Sequence, residues 1–324
     1  QLNPPGHPGD PGLYLWVEEK RGARHGVEKG PQIVLRSRNI RGPYEWRTVL
    51  EQGNTAVQGP HQGGWVETPS GEGWFAHFNS TGAFGRIVHL QPVRWVDDWP
   101  IMGQPLPNGT SGQPVMTHAV PDVGGRPEQY RLQDSDELGE ARLGHQWEWN
   151  HNPDDSNWSL TERPGFMRLH AMGAEHLVTA RNTLTQVLQG PRSRMTTRID
   201  VSRMIDGQRA GLSMFGVRPS WLGVVREGGL SRVTFGQERI ETQVAELAGD
   251  TIDLAVTVSE DQRAQFSYSL DGGRTFRSAG DPVELRFAWW KGARPALFTF
   301  VRAKPGEVIG HGSIDVDWFR VTKH

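Results

Sequence analysis

Forty glycines and 22 prolines cut this chain of 324 residues into short pieces, and that punctuation leaves little room for long helices. Glycine supplies left-handed turns, and proline fixes φ while removing a backbone donor, so both end regular elements. Strand-length runs stand between the breaks. Leu13-Tyr14-Leu15-Trp16-Val17 and Ile33-Val34-Leu35-Arg36-Ser37 are the first two, and Gly42-Pro43-Tyr44 ends the second. Gly64–Thr68 leads through Pro69-Ser70-Gly71 into Gly73–Phe78, the pattern of a hairpin. Ile87–Leu90 follows, and Trp95–Pro100 closes the unit. Antiparallel strands at about 8–12-residue spacing read as a sandwich, barrel or propeller. Residues 1–103 hold about six such strands, more than one four-stranded blade and fewer than a whole propeller.

From Gln104 to Gln129 the composition turns to Pro, Gly, Ser and Thr, which predicts an extended linker. Residues 1–12 are equally rich in Pro and Gly and read as a loop or tail. Strand patterning resumes from Tyr130 to His324, for example in Arg198–Val201, Thr251–Val258, Phe266–Ser269 and Phe298–Val301. Asp271-Gly272 follows the third of these and predicts a tight hairpin turn. A single helix candidate, near Ala174–Leu188, reads equally well as strand. The sequence therefore predicts an all-β chain whose second part is a two-sheet jelly roll.

Composition removes several functions. Lys plus Arg (35) against Asp plus Glu (37) gives a net charge of −2, without the positive field that phosphate binding needs. No apolar run approaches the roughly 18–20 residues of a membrane-spanning helix. Neither a nucleic-acid nor a membrane partner is expected. Cysteine is absent, which excludes disulfides, thiolate metal sites and a cysteine nucleophile. The start lacks both an initiator Met and a signal-peptide pattern, and a processed or truncated chain is expected. Thirteen tryptophans exceed what a core of this size requires. Either they fill sandwich cores or some line a sugar-binding surface.

From Val34-Leu35-Arg36-Ser37-Arg38-Asn39-Ile40-Arg41-Gly42-Pro43-Tyr44-Glu45 onward, the sequence resembles glycoside hydrolase family 43. The resemblance continues in Gly59-Pro60-His61-Gln62-Gly63-Gly64-Trp65-Val66, Ala76-His77-Phe78, Gly85–Pro92 and Trp99-Pro100. It extends through Gln146–Pro153, Trp158-Ser159-Leu160 and Arg163-Pro164-Gly165-Phe166 to Asp315–Phe319. It implies the last part of a five-bladed β-propeller followed by a concanavalin-A-like β-sandwich. It also implies inverting hydrolysis of xylosidic or arabinofuranosidic bonds in xylo- or arabino-oligosaccharides. The resemblance further implies a base Asp, a second Asp that tunes pKa and orients substrate, and an acid Glu in a Glu-Gly-Pro motif. The stretch where that Glu belongs has none here, and Glu18 and Glu19 follow the strand rather than precede it. No catalytic residue is therefore identified in this chain. The acid and base are expected on an upstream segment or partner chain, the alternative being a non-catalytic carbohydrate-binding or structural fragment.

The resemblance makes Arg86 the pocket-floor arginine that contacts the sugar, since a planar guanidinium donates paired hydrogen bonds. Read alone, it is an ordinary arginine at a strand start. Phe84 and Gln32 are expected near the same pocket or as structural residues. His61 is implied on the propeller axis, on or near a calcium ion, and calcium's preference for oxygen makes a nitrogen contact a supplement to waters. Its plain reading is a histidine hydrogen-bonded in a turn. Asp136 opens the sandwich and Asp317 lies in its last strand, so the two either share a calcium ion or remain solvated strand-edge carboxylates. Trp65, Trp74, Trp95 and Trp99 read mostly as core. Trp147, Trp149, Asn150 and His151 form a polar-aromatic run considered for the pocket rim.

Overall fold

The computed structural model describes residues 14–19, 30–107, 109–125, 134–289, 291–304 and 306–323. The side chains of residues 14–19 and of His61 fall outside that description, as does the tail expected at 1–12. The chain divides into two units. The first comprises residues 1–81 and 86–129, the second residues 82–85 and 130–324. No α-helix occurs among the described residues, so none is long and apolar enough to cross a membrane.

In the first unit, β1 (Tyr14–Glu19), β2 (Gln32–Ser37) and β3 (Glu45–Leu50) form an antiparallel meander. A second meander contains β4 (His61–Glu67), β5 (Gly73–Ser80), β6 (Arg86–Val96) and β7 (Trp99–Met102). Two successive meanders are the local form of propeller blades. Val34, Val49, Leu50, Phe75, Trp99, Ile101 and Met102 make one buried cluster between them. The segment read as a linker belongs to this unit. It carries the short pair β8 (Gln104–Pro105) and β9 (Gly112–Gln113). Glu51 donates its N–H to the Gly112 carbonyl (2.9 Å), and Val115 donates to Gln91 Oε1 (2.8 Å). Polar composition hid a segment whose backbone is satisfied by neighbouring strands.

The second unit is a sandwich. Its strands are β10 (Glu148–Trp149), β11 (Trp158–Ser159), β12 (Met167–His170), β13 (Met172–Ala174), β14 (Thr183–Thr185) and β15 (Ser193–Asp200). They continue with β16 (Gln208–Phe215), β17 (Ser220–Glu227), β18 (Leu230–Gln237), β19 (Ile240–Glu246) and β20 (Thr251–Val258). The last are β21 (Arg263–Ser269), β22 (Arg277–Glu284), β23 (Arg294–Arg302) and β24 (Ser313–Lys323). One sheet runs β10-β14-β23-β16-β17-β18-β19, with β13 beside β23, and the other runs β11-β12-β24-β15-β20-β21-β22. The helix candidate at 174–188 resolves into the end of β13, a 3-10 turn at Leu177–Thr179 and β14.

Burial follows the pleat. In β15 every second residue is buried, because one face meets the opposing sheet. In β16 every residue is buried. Ala210, Leu212 and Met214 enter the main core, while Phe215 joins Trp221, Phe298 and Phe300 in a second cluster with Ala174, Leu177 and Ala180. The Asp271-Gly272 turn is longer than the tight hairpin expected, with residues 270–276 linking β21 to β22. Asp271 organises it, accepting the Thr275 N–H (2.9 Å) and the Thr275 and Ser269 hydroxyls. Those bonds, the Thr275 hydroxyl foremost, hold the Asp271 carboxyl far below the ordinary range.

Candidate functional site

The first unit brings three elements together at one end of its four-stranded sheet. His61 stands opposite Phe78 in the β4–β5 register, which slips before Gly64 pairs with Ala76. That bulge carries Gln62 at φ 54°, a left-handed conformation few side chains adopt. Gly63 beside it admits no substituent, because a Cβ would lie 2.3 Å from both the Ala76 carbonyl oxygen and Phe75 Cζ. Strain of this kind gathers where a backbone must hold an exact position for function. On the far side, Arg86 pairs with Ser80 and sets its guanidinium over the Phe78 ring, 4.0 Å from the centroid. Phe78 entered the sequence reading as part of a strand and of the motif Ala76-His77-Phe78, without a site role of its own. Its place became visible with the register, which puts it between the bulge and the arginine.

Behind this end lies a buried polar column. His77, 2% exposed, stacks between Phe75 (6.0 Å) and His89 (5.4 Å). Its Nε2 meets the Gln91 amide at 3.1 Å, and His89 Nε2 meets Asn79 Oδ1 at 2.7 Å. Burial lowers the His89 pKa, because desolvation penalises the imidazolium. A histidine with a folded pKa below its unfolded value stabilises fully above about 6.5, and that contribution falls as pH drops toward the folded pKa. Replacing His89 with Gln is therefore expected to flatten the dependence of melting temperature on pH below about 6.5. A slope unchanged from the parent chain would contradict this assignment.

The other expected residues are dispersed. Gln32 is buried on β2, in the neighbouring sheet, and donates Nε2 to the Ile33 carbonyl (2.9 Å). Phe84 belongs to the second unit and packs against the sandwich core. Trp74 and Trp99 are buried, and Trp65 meets Trp95 at 5.4 Å. Trp99 also lies beneath the Arg36 guanidinium (4.1 Å). Trp147 is a core residue, edge-on to Phe319 at 5.1 Å, while Trp149 packs against Trp158 and His151 bonds the Val178 carbonyl.

Asp136 and Asp317, expected either to share a calcium ion or to stay solvated at strand edges, occupy different local settings. Asp136 accepts the Leu138 N–H at Oδ1 (2.8 Å) and the Gln146 amide (3.0 Å) and Trp147 Nε1 (2.8 Å) at Oδ2. Asp317 falls in the bulge where β24 slips against β15, between the pairs Ile199–Val316 and Arg198–Trp318. Among the described residues, no group of three or more His, Asp or Glu is placed to hold a metal ion. No step is assigned to calcium. Two carboxyls of the sandwich, Glu137 and Asp315, are held in their charged form, the opposite of what a general acid requires. Glu137 is lowered by its bonds to Arg320. Burial alone would raise Asp315, but the guanidinium bonds from Arg168 and Arg163 more than reverse that.

Comparison with known proteins agrees with this division. Residues 135–322 match the β-xylosidase C-terminal concanavalin A-like domain, and residues 12–100 match glycosyl hydrolases family 43. A putative β-xylosidase of Xylanibacter ruminicola is 41% identical over 283 residues, covering 86% of this chain and 52% of that protein. A β-xylosidase of Formosa agariphila is 34% identical over 333 residues, covering 94% of this chain and 55% of that protein. The chain thus spans about half the length of these curated relatives. A bifunctional GH43-CE structure from Bacteroides eggerthii superposes with a TM-score of 0.80 at 30% identity, covering 97% of this chain and 40% of that one. The blade-like meanders, the two-sheet sandwich and both matched segments lead to one conclusion: the chain belongs to glycosyl hydrolase family 43 and carries that family's β-xylosidase-type C-terminal domain.

Proposed function

We propose that this chain forms the sugar-binding and sandwich portion of an inverting glycosidase. Its substrates are xylosidic or arabinofuranosidic bonds in hemicellulose-derived oligosaccharides. The observation that carries the reading is the guanidinium of Arg86 on the Phe78 ring, in register with the His61 bulge. A planar fork above an aromatic face suits a pyranose or furanose, whose rim offers hydroxyls and whose faces are C–H. Inversion needs two carboxyl groups roughly 6.5–9.5 Å apart, one protonated and one activating water. We assign that pair to family 43 sequence outside these 324 residues, contributed upstream or by a partner chain.

The unfinished face of the four-stranded sheet supports that assignment. Val88 opposes Phe78, Leu90 opposes Ala76 and Val66 opposes Trp74, so all three project from one face. Val88 is 72% exposed, and Val66 and Leu90 are also exposed. Propeller blades bury both faces against their neighbours. Val88→Asp is therefore expected to change the stability of this chain by less than about 0.5 kcal/mol while preventing a completing segment from docking. Co-purification that survives the substitution would contradict this.

The reaction class is tested by proton NMR of the first-formed sugar released from an aryl β-xyloside or an aryl α-L-arabinofuranoside by the completed assembly. Inversion predicts the opposite anomer from that of the substrate. A product that retains the configuration would overturn the mechanism.

A further inference from the structure

On β15 of the sandwich, Arg194, Thr196, Arg198 and Asp200 alternate with buried residues and so point away from the core. Register puts Arg320 and Thr322 of β24, Asp253 and Thr257 of β20 and Arg168 of β12 on the same outer face. Three of these guanidiniums present the edge made by Nε and Nη2 to a carboxylate. Arg168 takes Asp315 at 2.7 and 2.8 Å, and Arg198 takes Asp253 at 2.8 and 3.3 Å. Arg320 takes Glu137 at 2.7 Å through both nitrogens. A planar fork on a planar carboxylate is among the strong charge-assisted arrangements.

Arg194 differs from them. It is half-buried, its Nη1 donates to Thr257 Oγ1 (3.0 Å), and its guanidinium carbon lies 4.7 Å from the centroid of the Phe276 ring. Those contacts fix the plane of the fork, and among the described residues no carboxylate meets its Nε–Nη2 edge. Burial lowers the Arg194 pKa with nothing to oppose it, whereas the bonds to Glu137 raise that of Arg320. Glu284, on the edge strand β22, stands at Arg286 instead (3.5 Å). The ladder around Arg194 offers groups that bond hydroxyls. Thr257 and Thr322 flank it on the neighbouring strands, and Gln265 stands beyond Thr257. Gln265 Nε2 is committed to the Phe266 (2.9 Å) and Gly280 (3.1 Å) carbonyls, which leaves Oε1 as an acceptor. A half-buried cation held without an anion is unfavourable, and a carboxylate from outside the chain would offset that.

We propose that Arg194 anchors a separate sugar site on the sandwich, for a carbohydrate that carries a carboxylate, a hexuronic acid residue. The carboxylate takes the Nε–Nη2 edge as Asp253 takes that of Arg198, and the sugar hydroxyls meet Thr257, Thr322 and Gln265 Oε1. The site lies wholly within the second unit and uses neither Arg86 nor an acid and base pair, so it fails or stands separately from the glycosidase reading.

The test titrates the 15N-labelled 324-residue chain with D-glucuronate, with acetate and with D-xylose at constant ionic strength. It follows the arginine Nε–Hε resonance of Arg194, assigned by its disappearance in Arg194→Lys. The expected result is a saturable shift with glucuronate, at concentrations where acetate (charge without hydroxyls) and xylose (hydroxyls without charge) leave the resonance in place. Arg194→Gln, read from the Thr257 backbone amide, is expected to weaken glucuronate binding at least about tenfold. Thr257→Val keeps the charge and removes the bond that orients it, and is expected to weaken binding about threefold, read from the Arg194 resonance. An equal response to acetate shows a general anion contact and overturns the sugar assignment. A shift that does not saturate overturns the site, as does affinity unchanged in both variants.

Discussion

Replacing Arg168 with methionine is expected to destabilise the sandwich by about 3–5 kcal/mol, the usual consequence of removing one member of a buried charge network. Arg168 on β12 pairs with Asp315 on β24 through two bonds, Nε to Oδ1 at 2.7 Å and Nη2 to Oδ2 at 2.8 Å. Its Nη1 also reaches Glu162 at 3.1 Å. Asp315 is 2% exposed and stands opposite Asp200 in the next strand pair, so two carboxylates face each other. Arg163 bridges them, at 2.7 Å to Asp200 and 2.8 Å to Asp315. Without Arg168, one guanidinium must serve both. For a domain of this size the loss corresponds to a melting temperature lower by about 10 °C. The double change Arg168→Met with Asp315→Leu should recover most of it, because well-packed apolar groups often replace a buried pair without penalty. A single variant that melts within 2 °C of the parent, about 1 kcal/mol, would contradict the network's role.

Arg86→Ala in an assembly that turns over aryl pentosides is expected to lower kcat/KM at least about 100-fold, equivalent to about 2.7 kcal/mol of transition-state stabilisation. Charge-assisted bonds from a planar fork are the strong ones, and they discriminate when water is excluded. Arg86→Lys keeps the charge but loses the fork, so it should recover little. Stability should change by no more than about 1 kcal/mol, the order of the contact with Phe78 that is lost. Kinetics within threefold of the parent would remove Arg86 from the site.

Elements with a strict period were legible in the sequence, because one face of each strand meets a core. Thr251–Val258 stands in the structure as a strand with those bounds, and Ile33–Ser37 is a strand that begins one residue earlier, at Gln32. What depends on long-range register was not legible. Phe78 matters because His61 and Arg86 flank it across two strand pairs. Asp136 looked free because its donors Gln146 and Trp147 stand ten and eleven residues away, and its strand partner is Phe319. Phe84 is expected from sequence either near the pocket or as a structural residue, and the turn that carries it is packed against the sandwich core. The segment at 104–129 looked like a linker because the strands in its described part are two residues long, and beyond their mutual pairing its bonds reach far back in the chain, to Glu51 and Gln91.

Turnover of an aryl β-xyloside, by the 324-residue chain alone and again after addition of the family 43 segment proposed to carry the acid and base, tests the central claim most directly. The account predicts no turnover above the uncatalysed rate in the first case, turnover in the second, and loss of that turnover with Arg86→Ala. Hydrolysis by the chain alone would place both proton-transfer groups within these 324 residues and contradict it.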